Sequence, residues 1–174
     1  MYCVVDTERI KGNRIYLLSY QLYDERFNLI ESKTFIDVSI DVSNRISPKR
    51  KVEKLKSIAV KVNSFVELYS IIRKFMEQSI NIIFSITDVK IFRKNCVECG
   101  IEYKELRCID VQKILYKMSS DAKKKSNLRD YCIQNHIFHT PHIPESDCEA
   151  TFKVFCNLLL KKGEKYLFSL IKEY

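Results

Sequence analysis

The sequence predicts one α/β domain over residues 1–174, with a mixed sheet flanked by helices. A short apolar run opens the chain, and two strand-like stretches around a polar break then indicate an antiparallel hairpin. Further along, short apolar runs alternate with segments of helical periodicity, which is typical of parallel strands covered by helices. A chain of 174 residues is long enough to close one core without disulfides or structural metals.

The first third of the chain carries the predicted hairpin. Residues 2–6 are an apolar run that ends in an acid, the profile of a buried strand. The segments 14–22 and 27–35 are rich in Tyr, Ile, Leu and Phe, and they flank the polar residues 23–26. The polar and basic segment 37–63 is expected to form a loop with a short helix.

Helices and short strands alternate in the remainder of the chain. Apolar residues at three-and-four spacing predict an amphipathic helix over 65–76, followed by a strand over 80–86 and a helix from Asp88. A strand over 106–109 and a helix over 111–118 come next.

The last helices are marked by their ends. Ser126 is expected to cap a helix that carries Leu128. A long helix through Ala150 and Leu158 should end at Gly163, before a last helix over 166–171.

Composition excludes several classes of protein. No stretch approaches the ~20 apolar residues of a membrane helix, and the first residues lack the features of a signal peptide, so a cytoplasmic protein is expected. Three glycines are too few for a glycine-rich phosphate-binding loop. Seven cysteines without a secretion signal argue against a disulfide framework. The pair Cys96 and Cys99 is expected to pack within a helix rather than bind a metal.

The net charge of +8 suggests a polyanionic partner. Basic residues are concentrated in residues 49–61, an interval that holds a single acid, Glu53. This interval is either a solvated face or a track for a nucleic-acid backbone. The residues expected to contact such a backbone are Lys49, Arg50, Lys51, Lys54 and Lys56.

Four acids fall at strand ends or helix starts. Strand alternation places Asp6 and Glu8 on one side of the first strand, at its carboxyl end, where α/β folds keep their sites. Asp88 comes just beyond the strand over 80–86, and Asp147 lies at the start of the long helix. Each acid alone has an ordinary explanation as a solvated strand end or a helix cap. Two acids as close as Asp6 and Glu8 are unfavourable unless a cation lies between them.

A histidine precedes the last of these acids. His142 lies five residues before Asp147 in a loop that contains two prolines. His136 and His139 are the other candidates for a catalytic base. Their spacing to Asp147 does not fit the same pattern, and both are interpreted as loop or helix-end residues.

Four segments together resemble the motifs of the DEDDh exonucleases, which include polymerase proofreading subunits and oligoribonuclease. The segment 4–8 (Val-Val-Asp-Thr-Glu) resembles the first motif, and 84–88 (Phe-Ser-Ile-Thr-Asp) is similar to the Trp-Gly-x-x-Asp form of the second, found in the RNA-directed branch. The segment 142–151 resembles the third motif, and 126–132 is similar to the Ser-Leu helix before it. The match spans residues 2–155.

The resemblance implies a ribonuclease-H-like fold and a 3′–5′ exonuclease that releases 5′-mononucleotides from single-stranded RNA or DNA. It implies that Asp6, Glu8, Asp88 and Asp147 hold two Mg²⁺ or Mn²⁺ ions, which prefer oxygen ligands. It also implies that His142 takes the proton of the attacking water, as a general base.

Two departures from the family pattern concern the pocket for the terminal nucleotide. The segment 9–12 (Arg-Ile-Lys-Gly) follows Glu8 where the family has small residues and glycine, and Phe84-Ser85 stands where the family has an aromatic residue followed by glycine. The five catalytic positions are intact. Two functions therefore stay open. The intact set favours an active exonuclease, and the alternative is a catalytically inactive nucleic-acid-binding protein of the same fold.

Overall fold

A seven-stranded mixed sheet forms the centre of the molecule, in a computed structural model that describes residues 1–41, 55, 57–118 and 127–174. The strands are β1 (Tyr2–Arg9), β2 (Ile15–Tyr23), β3 (Leu29–Asp37), β4 (Val60–Val62), β5 (Ile80–Ile83), β6 (Arg107–Asp110) and β7 (Lys172–Glu173). The helices are α1 (Phe65–Gln78), α2 (Ile86–Glu98), α3 (Val111–Met118), α4 (Leu128–Gln134), α5 (Pro144–Lys162) and α6 (Glu164–Phe168).

The strands are ordered β4-β3-β2-β1-β5-β6-β7, so that β1 is central. β1 pairs antiparallel with β2, which pairs antiparallel with β3, and this confirms the predicted hairpin. On its other side β1 pairs parallel with β5, and β5 pairs parallel with β6. The α/β class with an antiparallel hairpin joined to parallel strands is therefore confirmed.

Alternate residues of β1 enter two different cores. Cys3 and Val5 are buried in the cluster that contains the apolar faces of α1 and α2. Tyr2 and Val4 are buried in the cluster that contains α5. Successive side chains of a strand point to opposite faces, so helices cover both faces of the sheet. Asp6 and Glu8 continue the side of Tyr2 and Val4, the side that α5 covers.

Several predicted boundaries need correction. β5 stops at Ile83, and α2 begins at Ile86 rather than Asp88 because the Ser85 hydroxyl accepts a hydrogen bond from the Thr87 amide and caps the helix. Asp88 therefore lies in the first turn of α2. The predicted cap Ser126 lies outside the described residues, and Asn127 caps α4 by accepting from the Asp130 amide at 2.7 Å.

The end of the chain also differs from the prediction. The last helix, expected over 166–171, ends at Phe168, and Lys172–Glu173 pair with β6 at the edge of the sheet. Backbone hydrogen bonds between Leu106 and Tyr174, at 2.9 and 3.1 Å, continue this pairing. β4 was not predicted either, within the segment expected to be a loop with a short helix.

Two further expectations concern the cysteines and the membrane. Cys96 is buried in the core on α2 and Cys99 is exposed at the end of that helix, so Cys96 packs as expected. Among the residues that the structure describes, no helix combines the length and apolar character needed to cross a membrane.

Candidate active site

Two carboxylates reach the site on β1. Asp6 and Glu8 are opposite Ser19 and Leu17 of β2, and the burial of the strand decreases from Asp6 onward. β5 runs parallel to β1 and ends at Ile83, so the chain beyond β5 emerges at the same edge of the sheet. Carboxyl ends of neighbouring strands are where α/β folds place their sites.

The start of α5 carries Asp147 to this edge. Pro144 occupies the first turn, where its missing amide hydrogen costs nothing. The thiol of Cys148 is buried against the backbone of β1 and β2 and donates to the Ser19 carbonyl at 3.4 Å. This contact sets the first turn of α5 on the face of the sheet that carries Asp6 and Glu8.

Asp6, Glu8 and Asp147 form a cluster in which one ligand atom of each lies within 4.8 Å of the others. The three acids line a cavity of about 280 Å³, to which Asp88 also contributes from the first turn of α2. The structure thus brings all four predicted acids to one cavity, with Asp88 outside the close cluster of three.

Burial disfavours the charged forms of Asp6, Asp88 and Asp147, and repulsion from neighbouring acids adds to this effect for Asp6 and Asp88. The pKa of Asp6 is raised well above its usual value by burial and then by the charges of Asp88, Asp147 and Glu8. Burial raises the pKa of Asp88 to about 6, although the nearby charge of Arg9 opposes this shift. Burial likewise raises the pKa of Asp147, against a hydrogen bond from His139.

The cluster fits a hard divalent cation. Its donors are carboxylate oxygens, which Mg²⁺ and Mn²⁺ prefer over nitrogen and sulfur. Buried like charges at this spacing are unfavourable without a compensating positive charge, which a divalent cation supplies. The donor set and its electrostatics therefore suit a divalent-cation site at Asp6, Glu8 and Asp147, three of the four acids that the family resemblance implies as ligands.

Two of the three histidines lie at the site. His142 is 66% exposed, and its Nδ1 atom lies 3.4 Å from Oε1 of Glu8. His139 is 5% exposed, and its Nε2 atom lies 2.5 Å from Oδ1 of Asp147. His136 is exposed at the end of α4. The sequence placed His139 in a loop, where it lies, but its contact with Asp147 was not predicted.

Open clefts adjoin the cavity on two sides. One, of about 720 Å³, shares Arg9 and Asp88 with the cavity and is also lined by Lys113. The other, of about 740 Å³, shares Leu128 and other residues with it and lies along α4. Arg9 was recognised in the sequence only as a departure from the family motif, whereas in the structure it borders the acids.

The five basic residues of the predicted nucleic-acid track lie outside the described part of the chain. They are Lys49, Arg50, Lys51, Lys54 and Lys56.

Two solved structures share the fold. The first is the nuclease domain of 3′hExo, a DEDDh family member, bound to rAMP. It has a TM-score of 0.71 at 12% identity, and the alignment covers 99% of this chain and 95% of that one. The second is an ExoI/SSB-Ct complex, with a TM-score of 0.64 at 14% identity over 97% of this chain and 42% of that one.

These matches confirm the predicted ribonuclease-H-like architecture: the chain has the fold of the DEDDh exonucleases. No protein-family model and no curated protein sequence matches the chain.

Proposed function

We propose that this chain is a metal-dependent 3′–5′ exonuclease that removes 5′-mononucleotides from single-stranded RNA or DNA. The observation that carries the proposal is the convergence of Asp6, Glu8 and Asp147 within 4.8 Å, from a central strand and a distant helix. The fold supports the same function, because a similar structure is the nuclease domain of a DEDDh family member. We take residues 1–174 as one exonuclease domain.

In this proposal Asp6, Glu8 and Asp147 hold one Mg²⁺ or Mn²⁺ ion, and Asp6 and Asp88 support a second. Bound divalent ions stabilise charge on the phosphate and make a bound water more acidic. The raised pKa values of Asp6 and Asp88 mean that the negative charge of each acid is unfavourable in the absence of a cation. We therefore expect cation binding to release protons from these acids.

His142 acts as the general base. Its exposed imidazole lies beside Glu8 at the mouth of the cavity, where it can take a proton from water that attacks the last phosphodiester. His139 is poorly suited to that role. Its Nε2 atom is engaged with Asp147, and its Nδ1 atom is buried without a hydrogen-bond partner among the described residues.

The substrate strand approaches through the open clefts beside the cavity. Arg9 and Lys113 line one of them, and cations at these positions favour a phosphate backbone. We also propose that the basic residues Lys49, Arg50, Lys51, Lys54 and Lys56 contact the backbone of the substrate strand. Binding of a polyanion by basic side chains also agrees with the net charge of +8.

A catalytically inactive nucleic-acid-binding protein of the same fold is the second candidate. Arg9 favours it, because a guanidinium beside Asp88 provides positive charge that a second metal ion would otherwise supply. The intact set of four acids and His142 favours the enzyme.

The two candidates differ in the fate of a 5′-labelled oligonucleotide. The assay incubates single strands of RNA and of DNA with the protein in the presence of Mn²⁺, of Mg²⁺ or of EDTA. The exonuclease produces a ladder of products shortened one nucleotide at a time, and EDTA abolishes it. An oligonucleotide that is bound but stays intact in Mn²⁺ would favour the inactive protein.

A further inference from the structure

His139 is a buried histidine whose side chain contacts one acid of the site, Asp147. It lies in the loop between α4 and α5, eight residues before Asp147, and outside the motif that marked His142. Its side chain is 5% exposed and that of Asp147 is 12% exposed, so water competes little for the contact between them. A hydrogen bond to a charged group in such surroundings is stronger than one at the surface.

The chemistry of the two groups sets the direction of this hydrogen bond. An ionised carboxylate can only accept, so Nε2 of His139 carries the hydrogen and donates it to Oδ1 of Asp147. Nδ1 is buried and has no partner within the described residues. With the hydrogen on Nε2, that buried atom keeps a lone pair and no unsatisfied N–H group.

The loop around His139 is anchored at both ends. The Ile137 amide donates to the Cys132 carbonyl of α4 at 2.9 Å. The Thr140 amide donates to the Ser146 hydroxyl in the first turn of α5 at 2.8 Å. These bonds tie the backbone on either side of His139 to the two helices, so the imidazole is presented to Asp147 from a fixed position.

We propose that His139 is a positioning residue that fixes the rotation of the Asp147 carboxylate for cation binding. This inference rests on the proposed function, since it takes Asp147 to be a metal ligand. A carboxylate held by a hydrogen bond is already oriented when the cation arrives, so less side-chain freedom is lost on binding. His139 itself touches neither the cation nor the substrate in this scheme.

The test measures the affinity of the intact chain for Mn²⁺ in the absence of nucleic acid. The electron paramagnetic resonance signal of free Mn²⁺ reports how much of the ion is bound. His139→Phe keeps a ring in the buried position and removes the donor. We expect it to weaken Mn²⁺ binding by about 10–100-fold, the usual effect of losing a hydrogen bond to a metal ligand. His139→Gln keeps an N–H donor and should stay within about threefold of the parent, and so should the exposed control His136→Gln.

The outcomes separate the two proposals. A parent chain that binds no Mn²⁺ contradicts the proposed function itself. A parent that binds Mn²⁺, together with a folded His139→Phe variant of equal affinity, overturns only the role of His139.

A second measurement on the parent chain needs no folded Phe variant. In imidazole ¹⁵N spectra, assigned with His139→Gln, we expect a single tautomer with a slowly exchanging Nε2 hydrogen on His139. A rapidly exchanging mixture of tautomers would overturn the inference.

Discussion

Nδ1 of His142 lies 3.4 Å from Oε1 of Glu8. This contact connects the loop before α5 to the end of β1. The two side chains differ in exposure, at 66% for His142 and 13% for Glu8. The histidine thus lies at the solvent side of the acidic cluster while still touching it. This relationship distinguishes His142 from His139, which is buried against Asp147.

Replacing His142 by alanine should reduce nucleotide release by about 10²–10⁴-fold, the usual contribution of a general base. Mn²⁺ binding should survive, because His142 is not one of the three clustered acids that we propose hold the ion. The loss should be partly recovered at higher pH, where hydroxide forms without a protein base. Single-turnover rates across pH measure both effects. The control His136→Ala should stay within a few-fold of the parent, and a silent His142→Ala would mean that the base has been misassigned.

In the metal-free protein, the contribution of Asp88 to stability should be lost as pH rises from about 4 to about 6, since burial raises the folded-state pKa of Asp88 to about 6. A carboxyl group whose folded pKa is raised stabilises the fold below its unfolded pKa, and this contribution disappears as pH rises through the folded value. Asp88→Asn should therefore stabilise the protein in EDTA at pH 7.5, by at most about 3 kcal/mol, and have little effect near pH 4. Thermal melting at both pH values measures the difference.

Asp24 provides a control of opposite sign. Hydrogen bonds from Asn28 lower the pKa of Asp24 in the hairpin turn. Its stabilising contribution is present above the unfolded pKa and is lost as pH falls. Asp24→Asn should therefore lower the melting temperature at pH 7.5. Equal effects of Asp88→Asn at pH 4 and pH 7.5 would contradict the electrostatic account of Asp88.

Mn²⁺ should raise the melting temperature of the parent, because it binds the folded cluster and offsets the repulsion among its acids. The expected stabilisation is about 2.7 kcal/mol at a free concentration 100 times the dissociation constant. Asp6→Asn should lose most of this response. Glu149→Gln changes an exposed acid on the same helix as Asp147 and should keep it. A response unchanged by Asp6→Asn would remove Asp6 from the set of ligands.

The basic segment should contribute a salt-dependent part of substrate affinity, since each neutralised phosphate releases counterions. Lys49→Glu with Lys51→Glu should weaken binding of a single strand and flatten the dependence of affinity on salt. Single-turnover cleavage at saturating substrate should not change. The matched control reverses Lys162 and Lys165, because Lys162 lies ~22 Å along α5 from Asp147. If substrate affinity depends on salt equally in the parent and in the variant with Lys49→Glu and Lys51→Glu, the segment is a solvated face and does not contact the substrate.

Patterns with strong periodicity predicted the parts of the fold that deliver the acids. Alternation along β1 placed Asp6 and Glu8 on one side, and the structure puts them on the face covered by α5. The helix over 111–118 was predicted with its observed ends. These elements bury regular apolar faces, so their patterns are visible in the sequence.

The remaining features depend on contacts that leave little trace in the sequence. β4 and β7 contain three and two residues, too few for any periodicity, and each is defined by pairing with a neighbouring strand. The contact between His139 and Asp147 depends on how the loop before α5 folds back onto the helix. Its only sequence signal is a second histidine near Asp147, and histidine in a loop is common at surfaces.

The most direct test of the central claim is the release of the 3′-terminal nucleotide from single-stranded RNA labelled at that nucleotide. The parent in Mn²⁺ should release the label as a 5′-mononucleotide. Asp6→Asn should be folded and at least 10²-fold slower, because it loses a ligand of the cluster without adding bulk. Near-parental release by Asp6→Asn, or undiminished release by the parent in EDTA, would contradict the account.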